Sequence, residues 1–186
     1  MTFPDGVERI GMAKTAVDRG FSLVGPGLNP ADEAAQALML LACRSVALAN
    51  AVAVLVKHNH AHEALALLRS LLELAAHARW IAQEQSEARA REFLREHGEA
   101  RWEKLWPQSR LARRLEDLGM SRELGARIED WCQGHIWGNA AGLPWAHVFS
   151  SARRREVSPQ DVLGATADLM AEVVSALERR WPGKFS

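Results

Sequence analysis

The stretch from Ala34 to Val56 constrains this chain more than any other. It runs without a glycine or proline and is built mostly of Ala, Leu and Val. Ala and Leu are among the strongest helix formers, so the segment reads as one long helix, from about Ala31 to Lys57. Its length and apolarity would suit a membrane span, but Arg44 sits near its centre, with Gln36, Ser45 and Asn50 around it. A charged side chain at mid-bilayer is costly. The segment therefore reads as the central helix of a soluble bundle.

The rest of the chain supports an all-α fold. A first helix is expected from Asp5 to Arg19, and the three glycines and two prolines of Gly20 to Pro30 mark a connection. His58-Asn59-His60 breaks the apolar pattern as a tight turn, and a third helix follows from about Ala61 to Gln85, or further if Ser86 to His97 continues it. Glu99 to Trp106 and Ser109 to Leu118 read as short helices separated by Pro107, the second stopped by Gly119 in a left-handed C-cap. Ser121 is placed to N-cap a helix reaching Cys132. The last helix has Ser158 as N-cap, Pro159 at its first position and Asp161 as capping carboxylate. Its stripe of Val162, Thr166, Leu169, Val173 and Leu177 recurs at helical spacing, and Pro182-Gly183 ends it. No strand-like alternation occurs, so an antiparallel bundle of about six helices in a single domain, residues 1–186, is expected.

Charge and cysteine usage narrow the function. The 23 basic and 23 acidic residues cancel, which disfavours a dedicated nucleic-acid binder. Clusters at Arg110/Arg113/Arg114, Arg153 to Arg155 and Arg179/Arg180 could form local patches, or simply favour helix C-termini and solvent. Cys43 and Cys132 lie in apolar helical patterns and read as buried small hydrophobes in a reducing compartment. Asp5, Glu8, Lys14 and Asp18 interrupt the N-terminal stretch, so no secretory leader is expected. A cytoplasmic protein without a membrane partner follows as the expectation.

Two stretches carry the candidate chemistry. On a helical wheel of the third helix, His62, Arg69, Glu73 and Trp80 share a narrow sector, with His77, and His58 if it is helical, flanking it. Arg69 and Glu73 stand one turn apart and can pair, and so can Glu73 and His77, where a carboxylate would orient the imidazole or raise its pKa. The stripe reads as a solvent face, as a structural network or as the floor of a site. It has no Lys, and it mixes Ala66, Ala76 and Trp80 with the charges, which weakens the solvent-face reading and leaves the other two. The second stretch, Gly134 to Ser151, contains Trp137, Trp145, His135 and His147. Its Trp residues suit packing on the bundle end, and its His residues could complete an Arg/Glu/His cluster.

Arg69-Ser70-Leu71-Leu72-Glu73, preceded by Glu63 to Leu68, resembles the central helix of an uncharacterised bacterial all-helical family. Members carry Arg-x-x-x-Glu there and a His after a later loop, and His147 would be the matching His. The similarity spans about Ala34 to Ser151. It implies that Arg69, Glu73 and His147 act together, and it implies no particular activity.

The expectation is thus a pocket built around Arg69, Glu73 and His147, with His62, His77, His135 and Trp145 near it. It would take a small polar or anionic ligand without a cofactor, in a protein that forms a homodimer. An alternative is a metal-independent ribonuclease resembling the HEPN type. In that reading His97 is the acid/base and Arg91 stabilises phosphate, since Arg91 and His97 match its Arg-then-His spacing. A His/Glu metal site is a further alternative. It lacks the His-Glu-x-x-His and paired Glu-x-x-His spacings such centres use.

Overall fold

A computed structural model describes residues 4–95, 115–133 and 157–186. Its elements are α1 (Pro4–Val24), a 3-10 turn (Gly25–Gly27), α2 (Glu33–Lys57), α3 (Ala64–Ile81), α4 (Ser86–Arg95), α5 (Arg122–Gln133) and α6 (Pro159–Arg180). The fold is all-α, with helices packed on one another around a shared apolar core. The central layer is α2, α3 and α6. Against it lie α1, chiefly on α6, then α4, chiefly on α2, and α5 on α3.

The helix boundaries follow local chemistry. Asp32 caps α2, accepting the Ala35 N–H at 2.7 Å. Ser158 caps α6, accepting the Asp161 N–H at 3.0 Å while its hydroxyl donates to the Asp161 carboxylate at 2.7 Å. Ser121 Oγ accepts the Leu124 N–H at 3.1 Å at the start of α5. Gly119, at φ 69°, takes the left-handed conformation its position predicts. Asn59, at φ 64°, makes the turn between α2 and α3.

Two boundaries differ from expectation. First, α1 runs through Gly20 to Val24 rather than ending at Arg19. Gly20 is buried there because the Phe185 ring lies where a β-carbon would be. A close approach of side chain to backbone explains this glycine, and a turn does not. Second, α3 begins at Ala64 and ends at Ile81, leaving α4 as a separate helix. Gln85, at φ 61°, breaks the line between them.

Helix α2 is long and apolar enough to cross a membrane, with a mean hydropathy of 2.0 over its most apolar window. In the fold one side of it is buried through Leu38, Leu41, Leu48 and Val52. Cys43 is exposed, contrary to expectation, and lies on the outer side with Leu40 and Ala47. Since α2 is apolar nearly all round, periodicity could not say which side faces the core. Buried Ser45 is satisfied by donating to the Leu41 carbonyl at 2.8 Å.

Candidate functional site

Arg69 and Glu73 stand one turn apart on α3, and Arg69 reaches α5. Arg69 Nε donates to Glu73 Oε1 at 3.1 Å, the i,i+4 pairing their spacing allows. Arg69 Nη1 also stands 3.5 Å from Glu129 Oε1 on α5. The three side chains keep 27%, 38% and 29% of their surface exposed, so the group lies at a helix seam open to solvent on one side. Beneath it, Cys132 directs its thiol at the Leu65 carbonyl, 3.6 Å away. Burial pushes the Cys132 thiol up to about 11, although the Arg69 guanidinium pulls the other way. The thiol is therefore neutral at physiological pH and unsuited to nucleophilic work.

The electrostatics of the cluster differ from those of a bare anion clamp. Among the described residues, one guanidinium faces two carboxylates, leaving a local excess of one negative charge. A guanidinium has five N–H donors, and among the described residues the two carboxylates at these contacts leave some of them for a further acceptor.

The other stripe residues distribute differently. His77 is buried against Phe93 of α4, the ring centroids 5.1 Å apart. Its Nδ1 stands 2.8 Å from the Glu73 backbone carbonyl, so it is the main chain and not the Glu73 carboxylate that orients the ring. Because a carbonyl only accepts, Nδ1 carries the proton. The expectation of a raised pKa is reversed. Burial lowers His77 to about 4, with the hydrogen bond to Glu73 opposing, so the ring is neutral at pH 7. Trp80 is half-buried, and the Arg89 guanidinium lies over its ring at 5.4 Å to the centroid. His62 precedes α3, half-buried in the turn, where its carbonyl accepts the Leu65 N–H at 3.2 Å. His135, Trp145 and His147 lie outside the described residues, as does His97 of the nuclease alternative. Arg91, the other half of that alternative, is exposed on α4 and donates to Glu33 of α2 at 2.8 Å.

Sequence reasoning did not single out Glu129. It belongs to the charged run Arg127, Glu129, Asp130 on an amphipathic helix, and nothing in its spacing relates it to Arg69. Arg79 was missed for the same reason. It reaches Ser175 Oγ at 2.7 Å, the Leu118 carbonyl at 3.3 Å and Glu172 at 3.5 Å, joining α3 to α6 and to the turn before α5. Burial raises the Glu172 pKa against the pull of Arg79. Arg180 is a committed structural cation, 2.6 Å from Asp32 and 3.5 Å from Glu87. Among the described residues, no three His, Cys, Asp or Glu side chains come close enough together to hold a metal ion.

No curated protein and no solved structure matches this chain. A family model does match over residues 35–130, which include Arg69, Glu73 and Glu129 together with α3, α4 and all but the first two residues of α2. The match covers a little over half of the chain, and its description is a family of unknown function. This chain, with its Arg-x-x-x-Glu central helix, belongs to that family, DUF5677.

Proposed function

We propose that this protein is a helical binding module whose site is the Arg69–Glu73–Glu129 cluster at the α3/α5 seam. The observation that carries the reading is one partly exposed guanidinium held by carboxylates from two helices, inside the segment that the family shares. A purely solvated Arg would not need an acceptor from a second helix. Of the two ligand classes the sequence suggests, polar and anionic, the charge count favours the first. The two carboxylates would receive an amine or amide donor, and the spare guanidinium donors would meet a carbonyl or hydroxyl. An anion at those donors would also face the two carboxylates, which disfavours it.

The test is thermal melting with agmatine and ethanolamine as donor-rich probes and with phosphate as the anion. The expected result is a rise in Tm of a few degrees with an amine, lost in Glu73→Gln/Glu129→Gln, because a ligand present at about 100 times its Kd stabilises by about 2.7 kcal/mol. Stabilisation by phosphate alone, or an equal response in the double variant, would sink the proposal.

The homodimer expected from the sequence belongs to the same proposal. Leu40, 57% exposed on the outer side of the most apolar helix, is the observation behind it, and two-fold pairs are the commonest oligomers. Sedimentation velocity of the wild type and of Leu40→Gln decides this. A monomer in both discards the dimer.

A further inference from the structure

Between α1, the C-terminal half of α2 and the start of α6 lies an open cleft of about 580 Å³. Its volume falls within the roughly 300–1,000 Å³ typical of small-molecule sites. It is independent of the Arg69 cluster and shares no residue with it. Val7, Val54 and Leu163 form apolar walls, and Val7 and Val54 keep about half of their surface uncovered, at 49% and 57%. The polar groups are two cations, Lys14 and Lys57, and two amides, Asn50 and Asn59.

The charge here is one-sided. Among the described residues, no Asp or Glu lines the cleft, and neither Lys14 nor Lys57 is in an ion pair. This contrasts with Arg9, Arg69, Arg79, Arg91 and Arg180, each held by a carboxylate. Lys57 lies in the last turn of α2, where the helix dipole alone would favour a cation. Lys14 is in the middle of α1, and no such local reason applies to it. The chain is neutral overall, so two cations facing one apolar hollow with no carboxylate beside them among the described residues are a local feature and do not reflect net charge.

We infer that the α1/α2/α6 cleft binds a small amphipathic anion, with its apolar body against Val7, Val54 and Leu163 and its anionic head between Lys14 and Lys57. Apolar walls supply the non-directional part of the affinity, and the lysines and amides set orientation and charge selectivity. A carboxylate and a phosphate head share this chemistry.

The experiment is isothermal titration calorimetry of the full chain with four probes below their micellar concentrations: decanoate, decyl phosphate, decyltrimethylammonium and acetate. Decanoate or decyl phosphate should bind saturably at about one per chain. Whichever binds more tightly identifies the head group. Lys14→Gln/Lys57→Gln should weaken that binding about tenfold, since exposed charge pairs contribute up to about a factor of five each. Val54→Asp, which places a carboxylate in the wall, should abolish it. All three positions are exposed, so circular dichroism should show both variants folded. Acetate should give no heat, because it lacks the apolar body. Equal binding of the ammonium amphiphile, unchanged affinity in the lysine double variant, or no saturable binding by either anion would overturn the inference.

Discussion

Arg69 and Glu73 stand one helical turn apart, so their pairing is a property of α3 alone, and any helical reading of the sequence finds it. Glu129 reaches the same guanidinium from a separate helix, and only the tertiary structure brings it there. His77 shows the converse limit. Its spacing from Glu73 was legible, but which atom of Glu73 it meets depends on whether the ring points to solvent or core. It points to the core, and the pH dependence changes sign as a result. The folded pKa near 4 lies below the ordinary 6.5, so the unfolded chain binds the proton more readily in that interval. Stability from this group is fully present above pH 6.5 and is lost as pH falls toward 4. The expected loss between pH 7 and pH 4.5 is about 2–3 kcal/mol. Urea denaturation of the wild type and of His77→Leu at both pH values should show a smaller pH dependence in the variant. An identical dependence would mean that His77 is solvated or already charged.

At the scale of elements, what the sequence made legible was what is encoded locally. The caps at Ser121 and Ser158, the Gly119 stop and the Asn59 turn are where their side chains and backbone preferences put them. Gly20 was misread because a glycine that ends a helix and one that accommodates a neighbouring ring look the same in one dimension. Cys43 was misread because α2 is too uniformly apolar for its periodicity to mark an inner face. Of the candidate site, the α3 half could be read and the α5 half could not. The Ser158 cap permits a quantitative check on the part that was legible. Ser158→Ala removes an acceptor for the Asp161 N–H and frees the Asp161 carboxylate from its hydroxyl partner. The expected cost is about 1 kcal/mol, which in a chain of this size lowers Tm by roughly 2–4 °C. Ser158→Asp should restore most of it. A wild-type melting curve for Ser158→Ala would show that α6 does not depend on its cap.

Across the whole molecule, the helices are unequally secured. α2, α3 and α6 cover one another, and the Asp32–Arg180–Glu87 group ties the start of α2 to the end of α6 and to α4. Among the described residues α1 is secured more simply, with the Arg9–Asp168 pair tying it to α6. It rests on α6, with only light contact to α2, and its far end is sealed by Phe185. That ring is 1% exposed, packs edge-on against Phe21 with centroids 5.6 Å apart, and covers Gly20. The tail that carries it is fastened by Glu178, whose carboxylate accepts the Gly183 and Phe185 N–H groups, holding its pKa below the usual range. Phe185→Ala should therefore act on α1 more than on the core. A buried Phe→Ala change costs about 3–5 kcal/mol when the whole fold feels it. If α1 alone is released, limited trypsin digestion should cut first at Lys14 and Arg19, while the α2/α3/α6 layer remains protected. Because Lys14 and Val7 line the α1/α2/α6 cleft, the same variant should lose decanoate binding while any response at Arg69–Glu73–Glu129 survives. Simultaneous proteolysis of α1 and α3 would show instead that α1 unfolds only with the rest of the bundle.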